Sequence, residues 1–121
     1  MKILLFLMTL HSFAQSTNSE IQAYSLKINK TLPEVYDPVT KLISTRVENN
    51  NFYYHFQLKA TLKEFTEAKP KVHAQVLKTV CSQSRERVIL QKFKSNLIYR
   101  YENDKGISLG EFMIRPSHCQ K

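Results

Sequence analysis

The chain has 121 residues, with 18 Lys and Arg against 10 Asp and Glu, a formal net charge of +8, 42% hydrophobic residues, two Cys and only two Gly. That is one domain's worth of sequence, which excludes a two-domain enzyme or a full doubly wound nucleotide fold. Seven Phe and six Tyr exclude wholesale disorder.

Met1-Lys2 opens the chain, the apolar run Ile3 to Leu10 follows, and small residues stand at Ser12 and Ala14 before a polar stretch. This is the layout of a secretory signal peptide. The apolar run falls far short of the roughly 20 residues that a bilayer span requires. Residues 1–14 read as a signal peptide cleaved near Ala14, 15–20 as a flexible N-terminus and 21–121 as a single domain. The expected product is periplasmic or secreted, has no transmembrane segment after cleavage, and has no N-terminal Cys to carry a lipid.

Ile21, Tyr24 and Ile28 fall at helical spacing and predict a short first helix. Pro33 and Pro38 bracket Glu34 to Asp37, which reads as a connector. Leu42 to Val47 is rich in β-branched residues, the asparagines at 49–51 form a turn, and Phe52 to Ala60 alternates apolar and polar. Phe52, Tyr54, Phe56 and Leu58 would face a core, and Tyr53, His55 and Gln57 water. Residues 61–69 are ambiguous between strand and loop. Pro70 suits the first turn of a helix whose stripe is Val72, Val76, Leu77 and Val80. Ser84 caps a second short helix through Val88, Ile89 and Phe93. Leu97 to Tyr101 and Ile107 to Ile114 form a second hairpin about a turn containing Gly106. The expected architecture is α+β: a four-stranded antiparallel sheet with helices on one face, in the order α-β-β-α(α)-β-β.

In an exported chain the lone pair Cys81 and Cys119 reads as a disulfide. Closing so long a loop contributes about 4 kcal/mol in the chain-entropy model. His55, His73 and His118 sit in no metal-binding spacing, and no phosphate loop or nucleophile elbow occurs. Glu64 and Glu67 stand among lysines and read as solvated charges. No catalytic residue, metal or cofactor is therefore expected, and the chain does not read as an enzyme. The basic set Lys69, Lys71, Lys78, Arg85, Arg87, Lys92 and Lys94 could form a contact surface if it shares one face. Export turns that charge toward another envelope protein or an anionic envelope surface rather than nucleic acid. The strand aromatics, Phe52, Tyr54, Phe56, Tyr99 and Tyr101, read as core.

Certain residues carry a resemblance. They are Leu32-Pro33-x-Val35-x-Asp37-x-x-Thr40, the strand with Tyr54, Cys81, a short Arg-containing helix, Tyr99-x-Tyr101, Gly106, Phe112-x-Ile114 and Cys119. Together they resemble a group of small exported bacterial domains of cystatin-like α+β shape. The part from Cys81 to Cys119 is also similar to the disulfide-bonded pilotins of type II secretion. Two departures stand out: those pilotins carry a lipidated N-terminal Cys, and Lys94-Ser95 stands where the pattern expects a glycine. The resemblance implies a non-enzymatic periplasmic accessory or binding protein, with secretion-apparatus assembly as one setting. The alternative is a basic inhibitor or immunity-type protein that blocks an exported toxin or hydrolase.

Overall fold

The computed structural model describes residues 19–82 and 84–119. The signal segment 1–14 and most of the tail after it lie outside the described residues. A first helix, α1, occupies residues 19–29. It is followed by β1 (Glu34–Asp37), β2 (Thr40–Glu48), β3 (Asn51–Leu58), α2 (Leu62–Cys81), α3 (Arg85–Gln91), β4 (Asn96–Glu102), β5 (Ser108–Ile114) and a closing 3-10 turn, Pro116–Cys119.

The strands form one five-stranded sheet in sequence order, β1-β2-β3-β4-β5. Neighbours are antiparallel except β3 and β4, which run parallel with Phe52 beside Leu97, Tyr54 beside Tyr99 and Phe56 beside Tyr101. The expected four-stranded antiparallel sheet is therefore corrected in two respects. The segment 34–37 is a strand rather than a connector, because β2 offers it a hydrogen-bonding edge between its two flanking prolines. The link from β3 to β4 is a helical crossover, and a connection of that length can return the chain in the same direction.

The bounds of α2 differ from expectation for a local reason. Thr61 caps the helix: its hydroxyl accepts from the Glu64 N–H at 3.1 Å, and the Glu64 carboxylate accepts from the Thr61 N–H at 2.9 Å. This reciprocal box satisfies two otherwise unpaired donors and starts the helix eight residues before Pro70. Pro70 thus lies in the helix interior. Ser84 caps α3 by accepting from the Arg87 N–H at 3.2 Å, as expected.

The hairpin turn between β2 and β3 places Asn49 at φ 56°, a left-handed conformation that Asn tolerates. Between α3 and β4 the backbone again turns left-handed, at Lys94 with φ 54°. This is where the resemblance drawn from the sequence expects a glycine.

Helices cover one face of the sheet. Phe52, Tyr54, Phe56, Leu97, Tyr99, Tyr101, Phe112 and Ile114 point to that face and are buried. Their rings pack in sequence across the strands: Tyr54 on Tyr99 at 5.3 Å, Phe56 on Tyr101 at 5.0 Å, Tyr99 on Phe112 at 5.3 Å. A bulge at Ile43 shifts the β2 register, so Leu42 and Thr45 both face the helices. Buried Thr45 is satisfied by α1, with its hydroxyl 2.7 Å from the Ser25 hydroxyl and 3.0 Å from Asn29 Oδ1.

On the β5 side α2 packs closely. Gly110 has φ 147°, and a Cβ there would lie 2.8 Å from Phe65 Cε2. Cys81 at the end of α2 is bonded to Cys119 in the closing turn, with Cα atoms 5.1 Å apart.

Candidate functional site

Because α2 lies toward β5 and α1 toward the other end of β2 and β3, the helical layer leaves a gap over β1, β2 and the end of β3. The gap is a cleft of about 660 Å³. One lip is the β1–β2 hairpin, through Tyr36, Asp37, Val39 and Thr40. The other is α2, through Phe65, Ala68, Val72, Val76 and Val80, and the floor carries Tyr99, Tyr101 and Leu58. Two of its lining apolar residues also stand out into solvent, with Tyr36 46% and Val39 45% exposed. An apolar cleft of this size is in the range that accommodates a ligand or several side chains of a partner. The charged groups along it are Asp37, Glu64 and Glu86 against Lys59, an acidic trace in a basic protein.

A polar network closes one end of the cleft. The Arg85 guanidinium bonds through Nη2 to Glu34 Oε1 at 2.6 Å and through Nε to Glu86 Oε2 at 2.7 Å. The Tyr54 hydroxyl donates to the same Glu86 oxygen at 2.7 Å, and the Tyr24 hydroxyl donates to the Arg85 carbonyl at 3.0 Å. Burial, reinforced by the Glu86 charge, raises the Tyr54 phenol far above its ordinary value. The same two causes push Tyr36 up to about 12. At neutral pH these tyrosines stay uncharged: Tyr54 donates to Glu86, and the Tyr36 hydroxyl accepts from Arg85.

The sheet face that no described element covers has a different character. The Arg46 guanidinium lies 3.9 Å from the Tyr53 ring centre and that of Arg100 5.0 Å from it, while His55 stacks beside Tyr53. Arg46 Nε donates to His55 Nε2 at 3.2 Å, and Arg100 pairs with Glu111 at 2.9 Å. Partial burial, then the charges of Arg46 and Arg100, lower the His55 pKa below its ordinary 6.5.

The basic set is unevenly exposed. Lys69 falls on the inward stripe between Phe65 and Val72 and is partly buried, whereas Lys71 and Lys78 are exposed on the outer side of α2. Arg85 is consumed by its carboxylates. Arg87 Nε is buried without a hydrogen-bond partner among the described residues. Lys92 and Lys94 project from the end of α3, Lys92 over the Phe93 ring. The histidines are likewise dispersed: His73 stacks on Phe112 at 4.5 Å, and His118 Nδ1 accepts from the Arg115 N–H at 3.0 Å. Among the described residues no group of three or more His, Cys, Asp or Glu is placed to hold a metal ion. No described helix is long and apolar enough to cross a membrane.

No protein-family model matches the sequence, and no curated protein matches it significantly. Solved structures do share the fold. A Pseudomonas aeruginosa protein proposed to be secreted superposes with a TM-score of 0.70 at 18% identity, covering 86% of this chain and 96% of its own. EpsS, a pilotin of the Vibrio vulnificus type 2 secretion system, gives 0.69 at 15% identity over 88% and 94%. AspS, a type II secretion pilotin of Vibrio cholerae, gives 0.65 at 9% identity over 87% and 94%. The expected cystatin-like outline gains no support from them. At these identities the likeness is one of fold, and that fold is shared with pilotins.

Proposed function

We propose that this chain is an exported, non-enzymatic accessory protein that binds another component of the bacterial envelope, in the setting of secretion-apparatus assembly. The cleft carries the reading: it is largely apolar, it opens beside exposed Tyr36 and Val39, and it is roofed by no element of the described chain. The fold shared with EpsS and AspS supports the setting, since both are pilotins of type II secretion systems. The signal-like segment 1–14 and the Cys81–Cys119 bond support an oxidising, extracytoplasmic location. The occupant is a segment of an envelope protein, and the basic outer face around Lys71 and Lys78 adds a salt-sensitive attraction to anionic surfaces.

Site-specific photo-crosslinking in cells tests this. A crosslinker at Val39 or Ala68 of the full-length chain should capture a discrete envelope protein. Val76→Glu, which places a charge inside the apolar cleft, should reduce capture tenfold or more. A crosslinker at Ile107, an exposed position outside the cleft, should capture little. Equal capture from all positions, or capture indifferent to Val76→Glu, would overturn the reading.

A further inference from the structure

The lip strand β1 is only four residues long, has a hydrogen-bonded neighbour on one side, and pairs with β2 in a register that slips between Val35 and Asp37. Such a strand is weakly held by its ladder alone. Glu34 and Tyr36 stand two residues apart and so point to the same face, the one covered by the helices. There Arg85 reaches across from α3 and meets both, at 2.6 Å to the Glu34 carboxylate and 3.4 Å to the Tyr36 hydroxyl.

The two halves of the network are unequally exposed. The Glu86 side chain is 13% exposed and anchors Arg85 from within, together with Tyr54, whereas Glu34 is 42% exposed. The inner half fixes the guanidinium and the outer half is the grip on β1. Only a planar fork can serve both directions at once, one nitrogen to each carboxylate. Tyr36, held in this grip, is also a wall of the cleft and packs edge-on against Phe56 at 5.2 Å.

We infer that Arg85 is a positioning residue: by bridging Glu34 and Tyr36 of β1 to Glu86 of α3, it holds the movable lip of the cleft at the spacing the occupant meets. The inference rests on the cleft being the binding site, and it adds what sets the shape of that site. Holding the lip in advance removes an ordering cost from binding, so loosening it weakens affinity without deleting a contact to the occupant.

The test uses the full chain with two readouts, hydrogen exchange of backbone amides and binding of the uncharged apolar dye Nile red. In Glu34→Ala the β1 amides should exchange about tenfold faster, while β4 and β5 amides and the denaturation midpoint stay near wild type. Glu34→Gln, which keeps an acceptor for Arg85, should fall between. Arg85→Lys should match Glu34→Ala in β1 exchange. Nile red affinity should drop severalfold in Glu34→Ala. Unchanged β1 exchange, or exchange that rises equally throughout the sheet, would overturn the role of Arg85. So would faster β1 exchange with unaltered dye affinity in a protein whose dye binding is abolished by Val76→Glu. Dye binding that Val76→Glu leaves intact would instead count against the cleft as the site, and the β1 exchange data would still decide whether Arg85 holds the strand.

Discussion

The two faces of the sheet both carry aromatic rings and behave as opposites. Under the helices, Tyr54, Phe56, Tyr99, Tyr101 and Phe112 stack ring on ring in a dry layer. On the uncovered face a single tyrosine, Tyr53, lies between Arg46 and Arg100 with His55 alongside. The first face obtains its stability from excluded water and ring packing, the second from cations resting on an aromatic surface that stays partly exposed. The lesson is that aromatic content fixes neither role: a ring becomes core or platform according to whether a helix arrives to cover it.

The largest effect should come from the dry face. Phe56 is 1% exposed and touches the rings of Tyr36, Tyr54, Tyr99 and Tyr101. Phe56→Ala should cost about 3–5 kcal/mol in chemical denaturation. A cost below about 1 kcal/mol would mean the layer is not the main support. Tyr54→Phe keeps the ring and removes only the donor to Glu86. It should cost about 1–2 kcal/mol, because a partly buried carboxylate loses a partner.

The smallest effect is the pH response of the wet face. Neutral His55 accepts from Arg46; partial burial, then the charges of Arg46 and Arg100, oppose its protonation, while Glu102 and Glu111 favour it more weakly. The folded pKa lies below the unfolded value, so the unfolded chain takes up the proton first. Stability is therefore full above about pH 6.5 and falls as the pH drops through the folded pKa. His55→Gln should flatten the part of this acid slope that His55 contributes. At a half-exposed, solvent-screened site the change is below about 1 kcal/mol. Stability curves from pH 7.5 to 4.5 for both proteins would show it, and identical slopes would remove His55 from the account.

Much of this contrast was legible in the residues. The alternation in Phe52 to Leu58 separates the two faces correctly, and the second hairpin with Gly106 at φ 79° follows from its turn residues. What escaped is what depends on distant partners. Period-two alternation is the same for either strand direction, so nothing local could distinguish the parallel β3–β4 pair from an antiparallel one. Glu34 to Asp37 becomes a strand because β2 lies beside it, against the signal of its flanking prolines. The Thr61-x-x-Glu64 box was present to be read, but Pro70 drew the start of the helix downstream. Nine residues separate Lys69 from Lys78, half a turn out of phase, which places those two lysines on opposite sides of α2. Arg85 gave no sign of being a hub, because Glu34 lies 51 residues away. The cleft is a space between elements, and no residue pattern spells a space.

The bond between Cys81 and Cys119 spans α3, β4 and β5. Any single backbone scission within that stretch, including one at the joint between α2 and α3, leaves two pieces still sewn together by sulfur. In a protease-rich compartment a nicked molecule would therefore keep its halves together, and only a reductant would let them part.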